Sequence, residues 1–517
     1  MLRWRRFSGS GAGQRHCRPL PAPARRSVII AGAIAINIDG PGARRAADAA
    51  LFTRLDPATG QPASQAPACR RRDAVAAVNR AAQAFPAWSQ TTPRDRRAIL
   101  NRAADLIESH ADDIRAAMQA EIGATELWVR FNLDVARRHL QTAADLATQI
   151  TGTTTREPGG MSLALRVPVG VCLAMAPWNA PFVLGIRAIA TALACGNTVV
   201  LKASEICPAT HLLIGRLLTE AGLPEGVLRI VTHAPEQAEE IVGALIGQEA
   251  VRRVNFTGST RVGRVIAELA GRHLKRCLLE LGGKAPLVVL EDADLDAAAD
   301  AAAFGSFFNQ GQICMATDRV VVMGSVADAF AERLTDRARR LTAGDPRDGT
   351  APLGPIVTAA VARRLAALVR DAVEKGATLR LGGQPRGAFL DATIVDHVTP
   401  GMALYTEECF GPVASICRAA SEAEALSIAN DTPYGLSAAV FSRDTSRALA
   451  FARRVNSGMC HINAPTLNDR PDMPVGGVGD SGYGRFGGQA ALDEFTELRW
   501  ISLTESPRGY PFLDGTR

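Results

Sequence analysis

Lysine is nearly missing from this chain: Lys202, Lys275, Lys284 and Lys375 are the four present, against 54 arginines in 517 residues. A GC-rich genome produces such a ratio. It leaves a surviving lysine as a place where a compact ammonium serves better than a guanidinium. Aromatic residues are also few, at 5%, and no basic stripe interleaves with them. That excludes an ordinary nucleic-acid-binding face. The ten cysteines form no C-x-x-C pair and the eight histidines no cluster at ligand spacing, so no metal is expected. Thiols of this kind suit a reducing compartment, here the cytoplasm, and most should be small buried hydrophobes. The apolar run 28–36 is too short to span a bilayer, so no membrane insertion is expected. Acids are absent from the first 38 residues, where Arg3, Arg5, Arg6, Arg15, Arg18, Arg25 and Arg26 precede Asp39. That composition is like a transit peptide. An over-extended start is the plainer reading, and residues 1–30 are taken as a disordered extension or a mis-start.

What is present is an apolar content of 47% with 21% charged residues, the balance of a globular chain with core enough for two or three domains. Ala74, Val75, Val78, Ala81, Ala82 and Phe85 recur at helical spacing, and helix continues to about residue 150. Residues 162–167 alternate as a strand after a Pro158-Gly159 turn, which predicts a protruding hairpin. From Val171 to Glu280 short apolar strands alternate with amphipathic helices, the pattern of a doubly wound, mainly parallel sheet. A second such set runs from about Pro286 to 465. The glycine-rich stretch 476–488 reads as loop and Thr496–Leu503 as a last strand.

Cys314 lies in Asn-Gln-Gly-Gln-Ile-Cys-Met (309–315), a polar, glycine-containing loop after a helix. Most lone cysteines are inert core residues. In such a loop a thiolate can add to an aldehyde carbonyl, give an oxyanion, and become a thioester after hydride loss. Glu280, in Glu-Leu-Gly-Gly-Lys, ends an apolar strand: either a solvated acid or a partly buried base that activates water. Asn179, in Pro-Trp-Asn-Ala-Pro, is either a helix N-cap or an amide donor to the oxyanion, beside the Cys314 N–H. Gly258 and Ser259 sit where a strand turns into a helix and would offer N–H groups to a phosphate. Lys202 and Glu205 follow another strand. They are either a charged strand end or ligands of a ribose, and the carboxylate would disfavour a 2′-phosphate. The G-x-G-x-x-G matches at 477–482 and 482–487 open no βαβ unit and are set aside.

In combination and in order, these motifs resemble the aldehyde dehydrogenase superfamily from Leu55-Asp-Pro-Ala-Thr-Gly60 to the C-terminus. The resemblance implies Cys314 as nucleophile, Glu280 as general base and Asn179 as oxyanion donor. It implies cofactor contacts at Trp178, Lys202, Glu205, Gly258 and Ser259. Glu407-Glu408-Cys-Phe-Gly-Pro412 resembles the family's Glu-Glu-x-Phe-Gly-Pro, which implies that Glu408 holds the nicotinamide ribose and Phe410 packs near the ring. The loop after Val231, Thr-His-Ala-Pro-Glu, lacks a glycine that many relatives carry, so adenine contacts are left unassigned. The implied fold is α/β: two doubly wound α/β domains plus a β oligomerisation arm. Residues 31–150 and 168–282 would form the NAD(P)-binding domain, 283–470 the catalytic domain, and 151–167 with 485–517 the arm of a homodimer or homotetramer. The cofactor would be NAD, with NADP as the alternative.

Closer similarity points to the salicylaldehyde, benzaldehyde and vanillin dehydrogenase branch, on Arg276–Lys284, Gly311–Met315, Gly482–Gly488 and Asp493–Glu497. Asn179, Val183 and Arg187 share a helix face. Arg187 would then meet either a ring hydroxyl or a protein carboxylate, with equal weight. Trp128 would supply a flat wall of the substrate pocket, and Ile313 and Met315 would line that pocket beside the thiol. The competing functions are oxidation of aliphatic aldehydes or semialdehydes by the same chemistry, acyl transfer to coenzyme A, a thiol hydrolase, and an idle binding protein on this fold. Glu280 weighs against acyl transfer. The lack of a histidine in either motif weighs against a hydrolase.

Overall fold

Strands that are apolar along their whole length must be covered on both faces, and this dictates how the region 171–280 folds. The computed structural model describes residues 50–505 with Tyr510 and Phe512, so the basic stretch 1–30 lies outside the described residues. A six-stranded sheet has the order β19 (Gly482–Tyr483), β9 (Arg276–Glu280), β8 (Val251–Thr257), β5 (Val171–Met175), β6 (Thr198–Lys202), β7 (Leu228–Val231). All but β19 run parallel. The pairs Met175↔Lys202, Met175↔Phe256 and Thr257↔Glu280 bring the carboxyl ends of four strands to one edge. The strand order reverses beside β5, and ligands of such sheets bind at that crevice.

Helices α1 (Arg71–Ser89), α2 (Pro93–Ser109), α3 (Ala111–Ile122) and α4 (Glu126–Ala147) precede the sheet. Helices α5 (Pro181–Ala194), α6 (Pro208–Glu220), α7 (Ala238–Ile246) and α8 (Thr260–Arg272) connect its strands. Helix α5 is buried at every position, as its lack of a polar face requires. Helices α4 and α5 run in step. Trp128 Nε1 donates to the Asn179 carbonyl at 2.9 Å, and Asn132 Oδ1 accepts from the Val183 N–H at 3.3 Å, with the same 51-residue offset.

A seven-stranded sheet follows, in the order β12 (Thr378–Leu381), β15 (Thr393–Asp396), β16 (Val413–Ala419), β11 (Thr317–Met323), β10 (Ala285–Val289), β17 (Ser437–Phe441), β18 (Met459–Ile462). Only β12 is antiparallel to its neighbour. Helix α9 (Leu295–Phe307) packs on this sheet and leads into the Cys314 loop. Small ribbons pair β1 (Leu51–Leu55) with β2 (Pro62–Pro67) and β13 (Pro385–Arg386) with β14 (Phe389–Leu390). The expected hairpin is β3 (Thr153–Glu157) and β4 (Gly160–Pro168), and β20 (Thr496–Thr504) pairs along the whole of β4.

The stretch 476–488 departs from the loop expected of it. Gly482 and Tyr483 form β19, antiparallel to Glu280 and Leu279, because glycine lets the chain approach β9 closely. That segment is the outer edge of the first sheet.

Candidate active site

Three left-handed residues in a row, Asn309, Gln310 and Gly311, turn the chain between α9 and Cys314. Such backbone costs about 1–3 kcal/mol per non-glycine residue and persists only when its surroundings enforce it. Here the polar side chains do so. Asn309 Nδ2 donates to the Asn179 carbonyl at 3.1 Å and Gln310 Nε2 to the Pro355 carbonyl at 3.2 Å, and Gln312 Oε1 accepts from the Val357 N–H at 2.9 Å. A Cβ on Gly311 would stand 2.2 Å from the Gly411 carbonyl oxygen, so glycine is required there. The polar residues around the cysteine fix its loop rather than expose it. Cys314 is part-buried, and Ile313 and Met315 on either side are core residues.

Cys314 Sγ lies 3.5 Å from Oε1 of Glu280, which is buried at the end of β9. The carboxylate is therefore no solvated surface acid. Its other oxygen, Oε2, accepts from Arg187 Nη2, whose guanidinium also reaches Thr257 Oγ1 at 3.3 Å and lies 4.7 Å over the Phe486 ring. Of the two partners expected for Arg187, a protein carboxylate occupies it. Burial pushes the Cys314 thiol up to about 11, while the Arg187 charge acts in the opposite sense. A thiol so placed needs a neighbouring base, and Glu280 is at hand.

Asn179 Nδ2 donates to the Gln312 carbonyl at 2.9 Å, which sets the amide beside the cysteine loop. The helix cap is Ala180 with Pro181 after it, so Asn179 is not an N-cap. An amide nitrogen carries a second hydrogen, which remains for an oxyanion. Trp128 is 1% exposed and is bound to the Asn179 carbonyl, so it cannot present a flat wall itself. It backs the partly buried rings of Phe131, stacked at 4.9 Å, and Phe308, edge-on at 5.0 Å. Sequence reasoning missed both. Phe131, three residues after Trp128 on α4, was the available signal.

The cofactor residues gather along the same sheet edge. Lys202 Nζ meets Glu205 Oε2 at 3.3 Å; burial pushes the Glu205 carboxyl up, but the Lys202 charge, a backbone hydrogen bond and the His233 ring together hold it below its usual range. Ser259 caps α8 through the Val262 N–H at 3.4 Å, placing the helix's positive end at the crevice. Gly258 differs from expectation: its N–H donates to the Glu280 carbonyl at 3.0 Å, because the β8–β9 ladder continues one residue past the strand. Its amide is thus not free for a phosphate. Glu408 Oε1 accepts from the Gly283 N–H at 2.9 Å, and a Cβ on Gly282 would stand 2.5 Å from Oε2. Burial pushes the Glu408 carboxyl up to about 7. Phe410 meets Trp178 edge-on at 5.7 Å. A paired carboxylate for a ribose, a helix N-terminus for a pyrophosphate and a glycine-cleared carboxylate for a second ribose fit a nicotinamide dinucleotide. Among the described residues no group of His, Cys, Asp and Glu gathers as a metal site.

The aldehyde dehydrogenase family profile matches residues 44–501. The chain belongs to the aldehyde dehydrogenase family. This dehydrogenase is 53% identical to a vanillin dehydrogenase of Pseudomonas fluorescens, over 90% of its own length and 97% of the relative's. It is 46% identical to a salicylaldehyde dehydrogenase of Pseudomonas putida, with the same coverage. Its fold superposes on the crystal structure of a salicylaldehyde dehydrogenase from Pseudomonas putida G7 complexed with salicylaldehyde, with a TM-score of 0.88 at 46% identity. That match covers 90% of this chain and 97% of the other. A betaine aldehyde dehydrogenase from Staphylococcus aureus in complex with NAD+ superposes with a TM-score of 0.85 at 30% identity, over 89% and 92% of the two chains.

Proposed function

We propose that this dehydrogenase oxidises aromatic aldehydes to carboxylic acids with NAD, through a thioester on Cys314. The observation that carries the reading is the contact of Cys314 Sγ with Glu280 Oε1, beside the Asn179 amide. Glu280 takes the thiol proton, and Sγ adds to the carbonyl carbon. Asn179 Nδ2 and the Cys314 N–H hold the resulting oxyanion. Its collapse expels hydride and leaves the thioester. A bound nicotinamide dinucleotide supplies the hydride acceptor. Glu280, its proton released, then takes one from water that attacks the thioester, and Sγ leaves as the acid forms. The aryl preference is supported by the Phe131 and Phe308 rings and by the vanillin, salicylaldehyde and benzaldehyde dehydrogenases among the relatives.

The test is NADH or NADPH formation with salicylaldehyde, benzaldehyde, vanillin and a short aliphatic aldehyde. Turnover favouring the aryl aldehydes and lost in Cys314→Ala is the expected result. Turnover with the aliphatic aldehyde alone would keep the mechanism and discard the aromatic pocket. Replacing Glu280 by Gln should lower kcat by about 10²–10⁴-fold.

A preference for NAD over NADP is supported by Glu205, whose ionised carboxylate, holding the adenosine ribose, would oppose a 2′-phosphate. In Glu205→Gln the ratio of kcat/KM for NADP over NAD should rise at least about ten-fold, equivalent to about 1.4 kcal/mol. An unchanged ratio would remove Glu205 from cofactor choice. The nine described cysteines are all free thiols, which supports a reducing compartment, the cytoplasm. The division into cofactor domain, catalytic domain and arm follows the two parallel sheets and the three-stranded one, and the arm would join copies of this chain.

A further inference from the structure

Arg187 Nη2 is committed to Glu280 and Thr257. Beyond Arg187 lies a buried polar pair. The 51-residue step between α4 and α5 sets position 136 beside Arg187, and His139 follows one turn later. His139 Nε2 stands 3.5 Å from Oδ1 of Asp469, with the two side chains 7% and 5% exposed. Neither atom has a directed hydrogen bond, and Arg187 Nε lacks one as well. Charge-assisted N–H···O bonds close to about 2.7–2.9 Å, and buried polar atoms are nearly always satisfied. A hydroxyl oxygen set to one side of the pair can reach both atoms at ordinary hydrogen-bond length and use the capacity each leaves open.

The pair lies beside the catalytic cysteine loop. Thr466, three residues before Asp469, donates from Oγ1 to the Met315 carbonyl at 2.7 Å, which ties the Asp469 loop to the residue after Cys314. The Asp469 charge acts on both the Cys314 thiol and the Arg187 guanidinium. His139 lies on the helix that carries Trp128 and Phe131, so one helix supplies an aromatic surface and, two to three turns on, a polar end.

We propose that Asp469 and His139 form the hydroxyl-recognising end of the aldehyde site and select ring-hydroxylated benzaldehydes. Asp469 Oδ1 accepts the phenolic O–H, and His139 Nε2–H donates to the phenol oxygen. The proposal rests on the aryl aldehyde reading above and names the substrate class within it. A site that hydrogen-bonds a substrate hydroxyl discriminates far more strongly than an apolar one, because the analogue leaves buried polar groups unpaired.

The test uses the full-length enzyme with benzaldehyde, the three hydroxybenzaldehyde isomers and the methoxybenzaldehydes, whose oxygen cannot donate. In the wild type, at least one hydroxy isomer should exceed both benzaldehyde and its own methyl ether in kcat/KM by about 100-fold. Asp469→Asn changes the charge near Cys314 for every substrate, so the readout is the ratio: kcat/KM for that isomer over kcat/KM for benzaldehyde should fall at least about ten-fold. His139→Gln, nearly the same size, should act in the same direction and serves where Asp469→Asn does not fold. An equal fall for every aldehyde would mark the pair as structural and overturn the proposal. Wild-type activity on benzaldehyde without a hydroxyl preference would overturn the subsite alone. Inactivity on every aryl aldehyde would overturn the aromatic reading with it.

Discussion

Burial holds the Cys314 thiol at about 11, so at neutral pH only about one thiol in ten thousand ionises without help. The help visible in the structure is a short chain of charge: Arg187 holds Glu280, and Glu280 touches Sγ. Removing the guanidinium leaves a carboxylate buried without its partner, a change that costs about 3–5 kcal/mol. It also removes the positive charge that lowers the thiol. Arg187→Met should therefore melt at lower temperature, and iodoacetamide should alkylate Cys314 more slowly at pH 8 than in the wild type. The rate should recover as pH rises further, because a raised thiol ionises later. Arg187→Lys, which keeps a charge, should recover part of the loss. An alkylation profile identical to the wild type would confine Arg187 to packing. Cys314, Glu280 and Asn179 stood out in the sequence as candidates because each sits in a local pattern, a strand end or a polar loop, and the family resemblance implied their roles. The partner of Arg187 was not legible there, because an ion pair between α5 and β9 is set by how the two elements pack. His139 and Asp469 were missed for the same reason, since nothing local joins a helix to a loop so distant in sequence.

At the scale of elements, apolar runs between turn signals let periodicity locate the five parallel strands of the first sheet and β10, β11, β17 and β18 of the second, but it left β12, β15 and β16 unassigned. It missed β19, which is only two residues long and glycine-rich. Yet β19 braces the catalytic strand: Gly482 pairs with Glu280, and Ser481 Oγ donates to the Gly282 carbonyl at 2.6 Å. Gly482 has φ of 100° and a Cβ there would stand 2.1 Å from the Leu279 carbonyl oxygen. Gly482→Ala should cost about 1–3 kcal/mol and displace Glu280, lowering kcat along with the melting temperature. Gly271, in α8 with open space around it, is the control. There alanine should stabilise by about 0.4–1 kcal/mol with kcat unchanged. Equal behaviour of the two variants would show that β19 has no hold on the catalytic strand.

For the whole molecule the unfinished part is the three-stranded sheet. Strand β20 exposes Leu498, Trp500, Ile501 and Leu503, with Trp500 76% exposed. Leu498 and Trp500 point to one face, Ile501 and Leu503 to the other, so a single layer of protein leaves apolar surface on both sides. Among the described residues β20 pairs only with β4, so its outer edge carries backbone groups without a strand partner there. At about 25 cal/mol per Å², covering both faces is worth several kcal/mol, and a second copy of this chain can cover them symmetrically. Light scattering should therefore find a dimer or tetramer. Leu498→Glu with Trp500→Arg should shift it towards smaller species, because charges then enter a surface that must lose its water. A wild-type monomer, or a double variant that assembles as well as the wild type, would assign these residues to some other contact. The active site shares elements with this arm: β20 follows directly on helix Gly488–Phe495, and Arg253 of β8 reaches Glu497 of β20 at 3.0 Å. Dissociation should accordingly lower the melting temperature of the nucleotide-binding sheet as well as change the mass. Thermal unfolding of the double variant should then begin earlier and depend less on protein concentration than that of the wild type.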